Sequence, residues 1–435
     1  MSPQGIGART GEKFRDRARA WLVENAPRHS ADGGSEDAGN SAGLDAQRAF
    51  QARLYDAGFV GITWPAEYGG QGLTNAEQIA FSEEARHFSL PVGAFIIGLG
   101  MPGPTILECG SEEQKKRYLP PMLRGEEIWC QLFSEPGAGS DVASLQASAV
   151  RVKGDGEVGG DTWVFNGQKV WTSGAQYSDY GAVLARTDPA QPKHRGISMF
   201  IVDMRAPGVT VRPLRVATGS APFNEVFFDN VRLGPDALIG AENKGWDAAV
   251  VMLRNERVAI GTMTASRGNP LGFESLRELA AKLGRASDPA ARRRLAELYA
   301  RERSLAQFGR LLREEAMSGR SIGARGSVAK LAGAELGAFA ADVAADVLGD
   351  AIAGYDSSAD HGSAAHGSAD HGSELRAVVT AIVAVPGGAI AGGTNEIQRN
   401  IIGERVLGLA KDPGVDRATP FNQLRVGTQK RQGAS

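Results

Sequence analysis

The sequence predicts an α+β chain in three parts: an N-terminal helical domain, a middle β-barrel or sandwich, and a C-terminal helical domain. Three observations predict it. Apolar residues recur at three- and four-residue spacing up to about residue 125. Short runs rich in β-branched and aromatic residues, punctuated by turn residues, fill 147–231. Helical spacing returns after Gly245. The expected boundaries are 1–127 (with 1–44 flexible in part), 128–240 and 241–411, followed by a tail at 412–435. A chain of 435 residues exceeds the size of one core, which agrees with this division.

In the first part a helix is expected over Gly11–Val23, where Phe14, Ala18, Trp21 and Leu22 share a face, and Ser30–Gly43 reads as a flexible connector. Helical spacing resumes at Asp45 with Phe50, Leu54 and Ala57 and stops at Gly58. Thr63–Gly72 is a loop, Asn75–Phe88 a helix, and the apolar run Val92–Leu107 one further, deeply buried helix. Ser111-Glu112-Glu113-Gln114 starts another, with acidic residues where the helix dipole favours them, and it ends near Gly125. Strands are expected at Ala147–Val152, Trp163–Phe165, Gln168–Trp171, Tyr180–Arg186, Ile197–Asp203, Val209–Arg212 and Glu225–Val231. Asn166-Gly167 reads as a hairpin turn between two of them. In the third part Asp288-Pro289 opens a helix with Leu295, Leu298, Leu305, Phe308 and Leu312 on one stripe; Ser327–Leu348 is a second, and a last one starts at Thr394. Between them lies a five-residue tandem repeat, Ser358–Gly372, carrying His361, His366 and His371. Five-residue spacing does not stack histidines on one helix face, so a disordered insert at 355–373 is expected and no metal site.

Composition excludes several classes of function. With 42% apolar and 23% charged residues the chain is a soluble globular one, and a net charge of −2 argues against nucleic acid or an anionic membrane as partner. No apolar run approaches the ~20 residues of a membrane span. The polar N-terminus has no apolar signal core, and two cysteines, Cys109 and Cys130, make no disulfide framework; a cytoplasmic location fits.

Two stretches carry chemistry. Trp129–Asp141, WCQLFSEPGAGSD, places hydroxyls at Ser134 and Ser140 on either side of Pro136-Gly137-Ala138-Gly139, a backbone nearly free of side chains. Such a segment is either an ordinary surface turn or a surface against which a flat ring can lie. Lys169–Gly174 ends a strand with Trp171, Thr172 and Ser173: a ring to stack and two hydroxyls to hydrogen-bond a heterocycle's rim. Trp171 is expected inside the β domain, and the first stretch at its entrance.

These two stretches, with Gly392–Arg399, GGTNEIQR, occur in the order found in acyl-CoA dehydrogenases, and the chain resembles that family from about Leu54 to about Lys411. The resemblance implies an oxidoreductase with FAD as cofactor, a C-terminal four-helix bundle, an acyl-CoA substrate and an electron-transfer flavoprotein as acceptor. It places Phe133, Ser134, Ser140, Trp171, Thr172 and Ser173 on the isoalloxazine side of FAD. Thr394 and Glu396 fall at its ribityl, phosphate or adenosine end, and Ser140 also lies near the CoA arm.

Desaturating an acyl thioester removes a proton from Cα and a hydride from Cβ, so a carboxylate base must face the flavin across that bond. The commonest members of the family keep a glutamate just before the Gly-Thr of the third stretch. Here that position is Gly392, which retains only a backbone N–H for the thioester oxygen. Either the chain is inert or the base lies elsewhere. Other members place it on the first helix after the β domain, and there Glu256 matches, with Arg257 on the substrate-contacting arginine. Val250–Leu253 and Val258–Ile260 argue that this helix is largely buried. Two stretches that reach a neighbouring subunit's FAD depart from the family: the Arg-x-x-Phe-Gly segment is not recognisable between Leu271 and Arg313, and the glutamine-glycine segment is reduced to Asp346–Asp350. A homo-oligomer, or pairing with a related subunit that donates the missing contacts, follows. A flavin oxidase or monooxygenase of the same fold, and a non-catalytic subunit, are the competing functions.

Overall fold

Phe14, Ala18 and Leu22 fall four residues apart on α1 (Pro3–Asn25), and this face is buried against α2 (Ser41–Asp56) and α3 (Asn75–Ala85). The computed structural model describes residues 3–28, 41–153, 162–266, 269–317, 320, 323–352, 372–411 and 418–424. Arg15 and Arg19 of α1 reach Glu83 and Glu84 of α3 at 2.6 and 2.8 Å, closing the edge of the layer. Two reciprocal caps define helix starts. Thr74 and Glu77 begin α3, and Ser111 and Gln114 begin α6 (Glu112–Arg124), each side chain satisfying a backbone N–H that the first turn leaves unpaired.

The single helix expected over Val92–Leu107 is instead a 3-10 turn, Gly93–Phe95, then α4 (Ile96–Gly100) and α5 (Pro102–Cys109). The break falls at Met101, with φ −134° and ψ −75°. Pro102 explains it: proline has no N–H to donate backwards and drives the preceding residue out of helical geometry.

Eight strands follow among the described residues: β1 (Trp129–Leu132), β2 (Ser148–Val152), β3 (Thr162–Ser173), β4 (Tyr180–Arg186), β5 (Ile197–Asp203), β6 (Val209–Leu214), β7 (Phe223–Leu233) and β8 (Leu238–Ile239). They form one sheet in the order β6-β7-β3-β2-β4-β5-β8, with β1 parallel to β4. β2 meets β4 only at Ser148 and Arg186, so the sheet divides there into two halves. Leu132, Val183, Phe200 and Val202 of one half share a core with Trp163, Phe165, Val226 and Phe228 of the other. Cys130 lies in this core, and burial pushes its thiol up to about 12.

Asn166-Gly167 is not a hairpin turn. β3 runs straight through it, and the pairing with β7 slips between Phe165 and Gly167 as a bulge. The Asn166 side chain accepts the Asn230 N–H at 2.8 Å, so its hydrogen-bonding capacity goes to the neighbouring strand rather than a tight turn. Gly167 sits at φ 149°, where a Cβ would lie 2.4 Å from that of Ala147. Glycine is required by close approach, and the dipeptide's turn signal misleads.

The last layer contains α7 (Gly245–Ser266), α8 (Phe273–Lys282), α9 (Pro289–Met317), α10 (Gly326–Leu348), α11 (Gly372–Gly388) and α12 (Asn395–Ile401). Leu276, Leu279, Leu295, Leu298, Val343, Val347 and Val378 form its core. α7 leaves the sheet to pack on α4, α5 and β5, so it links the three layers. The expected polar tail contains one anchored piece. Phe421 is buried beneath the Arg186 guanidinium, 3.8 Å from ring centre to cation, and its N–H donates to Gln191 O at 2.9 Å. The histidine repeat lies outside the described residues. Among the described residues no helix is long and apolar enough to cross a membrane, and no cluster of three potential metal ligands occurs.

Candidate active site

β1 carries the chain into the first stretch. Phe133 is buried in the core between the sheet and the helices around it, and Ser134 is half-buried, its carbonyl accepting Val170 N–H at 2.9 Å. Glu135 and Ala138 then exchange two backbone hydrogen bonds of 3.0 Å, closing a tight turn that leaves Pro136, Gly137, Gly139 and Ser140 exposed. A Cβ at Gly137 or Gly139 would meet nothing within 4 Å. Nothing in the protein's own packing demands glycine there; open backbone is what the sequence maintains.

The Val170–Ser134 bond holds the second stretch alongside the first. The β3–β7 ladder is in register at Lys169 and resumes only at Thr172, so Val170 and Trp171 bulge between them. Trp171 adopts φ 61°, a left-handed conformation that costs a bulky residue, and its ring is 56% exposed with Phe223 edge-on at 5.7 Å. The expectation of Trp171 inside the β domain is therefore corrected. The bulge turns its ring outward, over the mouth of the site. Thr172 is 1% exposed, and its Oγ1 has no hydrogen-bond partner among the described residues. Ser173 is half-buried next to it. Asn224, fully buried on β7, fixes the backbone here by donating to Thr172 O at 3.0 Å.

Glu256 lies on α7, half-buried, and Gln131 Nε2 of β1 donates to its Oε2 at 3.3 Å. Val251 and Met252 are buried, but Val250 is 50% exposed and Arg254 faces out to pair with Glu108 at 2.5 Å. The expectation of a largely buried helix is thus corrected: over its described side chains α7 is buried on one side only. Arg257 lies on the same helix; its side chain is outside the described residues.

Gly392 and Gly393 both take positive φ, 66° and 88°, and the buried Gln398 amide donates to both carbonyls at 2.9 and 3.2 Å. Thr394 caps α12 by accepting Ile397 N–H, and Glu396 is exposed in the first turn. Its own backbone N–H and the Thr394 hydroxyl hold the Glu396 carboxyl below the usual carboxylate range. The described contacts of this loop run to α10, Lys330 to Asn395 at 3.3 Å and Arg399 to Glu335 at 2.9 Å. Thus the structure joins the first stretch, the second stretch and Glu256, whereas the third stretch is tied to the helical layer.

Beside Ser140, Asp141 pairs with Lys193 at 2.8 Å. That lysine directly precedes His194 and Arg195, which with Asn243, Lys244, Trp246 and Asp247 line a cavity of about 410 Å³. Gln131 and the basic loop escape sequence reasoning. A lone glutamine between buried Cys130 and Leu132 is the signal for the first, and only the tertiary fold reveals the second.

The chain matches the domain profiles "Acyl-CoA dehydrogenase, N-terminal domain" over 9–126, "middle domain" over 130–231 and "C-terminal domain" over 243–407. It belongs to the acyl-CoA dehydrogenase family. It is similar to acyl-CoA dehydrogenase IpdE1 of Mycobacterium tuberculosis, 36% identical over 92% of this chain and 98% of that protein. It is 41% identical to acyl-CoA dehydrogenase FadE34 of the same organism over 83% of this chain, but spans only 46% of that longer protein. Among solved structures, the ChsE4-ChsE5 complex from Mycobacterium tuberculosis aligns with a TM-score of 0.68 at 29% identity, covering 95% of this chain and 99% of that one. A structure described as the Tcur3481-Tcur3483 steroid ACAD aligns with 0.72 at 26%, covering 95% and 99%. Helical, sheet and helical layers are thus the architecture of an acyl-CoA dehydrogenase, an oxidoreductase family of lipid metabolism.

Proposed function

We propose that this chain binds FAD and dehydrogenates an acyl-CoA thioester to the trans-2-enoyl-CoA, with Glu256 as the base for the α-proton. The observation that carries the proposal is the 3.3 Å bond from Gln131 to Glu256. It sets the carboxylate against the strand that leads directly into the first stretch.

The cradle fits a flavin on its own chemistry. A buried hydroxyl normally finds a partner, and Thr172 Oγ1 has none among the described residues. Backbone strain such as that of Trp171 clusters at ligand sites, and the Pro136–Gly139 turn offers uncovered backbone. Phe133, Ser134, Ser140, Trp171, Thr172 and Ser173 would hold the ring system, and Thr394 and Glu396 the ribityl-to-adenosine end. Thr394, at a helix N-terminus, suits an anionic group. When bound, FAD supplies the acceptor for the β-hydride. Glu256 takes the proton from Cα. The Gly392 N–H donates to the thioester oxygen, where negative charge grows as that proton leaves, and Arg257 binds the substrate. The basic cavity tied to the Ser140 segment through Lys193 suits the phosphates of the CoA arm.

Glu256→Gln tests the assignment. Turnover with an acyl-CoA panel should fall by about 10²- to 10⁴-fold, the range of a lost general base, while flavin content stays unchanged. Undiminished turnover would remove Glu256 from the mechanism. The panel should include steroid-derived thioesters beside straight-chain ones, because one solved relative is described as a steroid ACAD.

Electron-transfer flavoprotein is the proposed acceptor. A related subunit is the proposed partner, supported by the two missing cross-subunit stretches and by a solved relative that is itself a complex of two proteins. Expressed alone, the chain should be poorly loaded with flavin; a fully active homomer with one FAD per chain would end the partner proposal.

A further inference from the structure

We infer that the buried Lys169–Glu135 pair is the positioning device of the cofactor cradle, fixing the strand that carries Trp171, Thr172 and Ser173 against the turn that carries Ser134 and Ser140. It rests on the FAD assignment made above.

Lys169 is 0% exposed, and its ammonium donates to Glu135 Oε1 at 2.8 Å and to the Phe133 carbonyl at 3.1 Å. The Glu135 carboxylate also accepts the backbone N–H groups of Gln146 at 2.6 Å and Ala147 at 3.0 Å. One ion pair therefore gathers three separate pieces of chain. Its position along the sequence is specific. Lys169 is the last residue in register before the bulge, two residues before Trp171, and Glu135 directly follows Ser134. With the pair removed, the described bond still joining the two stretches is Val170 N–H to Ser134 O.

Stability alone does not account for charges here. Desolvation consumes most of what a buried ion pair gains, and apolar residues of similar volume commonly serve as well. The surrounding β core, with Phe165 and Val226 fully buried, is otherwise built that way. What a charged pair adds is geometry. The ammonium's directed donors and the carboxylate's several acceptor sites fix distance and register, which apolar packing does not.

The test uses the full chain, with its partner subunit if one co-purifies, stripped of flavin and titrated with FAD. Lys169→Met alone would strand a buried carboxylate, so the informative variants are the neutral double Lys169→Met/Glu135→Gln and the conservative Glu135→Asp. We expect the double variant to keep a melting temperature close to wild type while FAD binds at least about tenfold more weakly and the visible circular dichroism of the bound flavin changes. Glu135→Asp should weaken FAD severalfold with no change in melting. Wild-type affinity and dichroism in both variants would overturn the inference, as would unfolding of Glu135→Asp, which would make the pair general framework. If the double variant does not fold, Glu135→Asp decides alone. A wild-type chain that takes up no FAD even when assembled with its partner subunit would instead overturn the function proposed above.

Discussion

The β layer and the C-terminal helical layer differ in how far one chain completes them. In the β layer, apolar side chains at the core are sealed and the buried Lys169, Arg186 and Asn224 all donate to partners within the chain, while Thr172 Oγ1 and Asn224 Oδ1 have no partner among the described residues. The C-terminal layer has a sealed core around Val343 and Val347, yet it leaves Ile390, Leu407 and Leu409 more than 60% exposed, with Val383 and Val406 partly so. Scattered exposed hydrophobes are ordinary, but these cluster on both sides of the GGTNEIQR loop. Residues around the proposed ring site are positioned within the chain, whereas those around the proposed adenosine end stand on a surface suited to cover by a second subunit. A cofactor site divided as proposed would make cofactor binding and assembly one event.

The contrast can be broken by mutation. The largest effect on stability is expected in the sealed layer: Phe165→Ala should cost about 3–5 kcal/mol, measured by chemical denaturation. A loss below 1 kcal/mol would mean that this core is less complete than its burial indicates. Gly167→Ala should cost less, about 1–3 kcal/mol from overpacking against Ala147. Leu407→Ser with Leu409→Ser should change the isolated chain by no more than about 0.5 kcal/mol, but should lower its oligomeric mass or flavin loading in analytical ultracentrifugation. Unchanged assembly would leave the helical layer finished as it stands.

The smallest effect concerns the N-terminal layer. The hydrogen bond from Arg19 holds the Glu84 carboxyl below its ordinary range. A carboxyl with a folded pKa below its unfolded one stabilises above the unfolded value and loses that contribution as pH falls through the folded one. Glu84→Gln should therefore lower the melting temperature at neutral pH, and the gap should close on acidification below about pH 4.5. A gap that widens in acid would reverse the sign of this contribution.

Much of the fold was legible in the sequence because its signals are local. Ser111 marks its helix start by chemistry that acts within one turn, and the short apolar run of a strand buried on both faces, such as Tyr180–Arg186, needs no distant partner to be read. Legibility failed where distant contacts decide. Asn166-Gly167 is a hairpin by local preference and a bulge because Asn230 and Ala147 lie across from it. Trp171 reads as a buried aromatic until the slipped ladder turns it outward. Pro102 was visible, but the apolar run around it outweighed a breaker that physics favours. At the site, the hydroxyls and the glutamate were legible from type and order. Gln131, the Lys169–Glu135 pair and the docking of Phe421 join residues far apart in the chain, and no pattern within a window reveals them.

Cys130 also has a practical consequence. Its thiol, sealed in the sheet core with a pKa pushed to about 12, presents essentially no thiolate to oxidants or alkylating reagents in the folded protein. Cys109, half-buried with its own thiol raised by desolvation, is the more accessible of the two. The native enzyme should tolerate handling without reductant, and slow modification by a maleimide, concentrated at Cys109 until the sheet opens, would make reaction at Cys130 a chemical clock for unfolding.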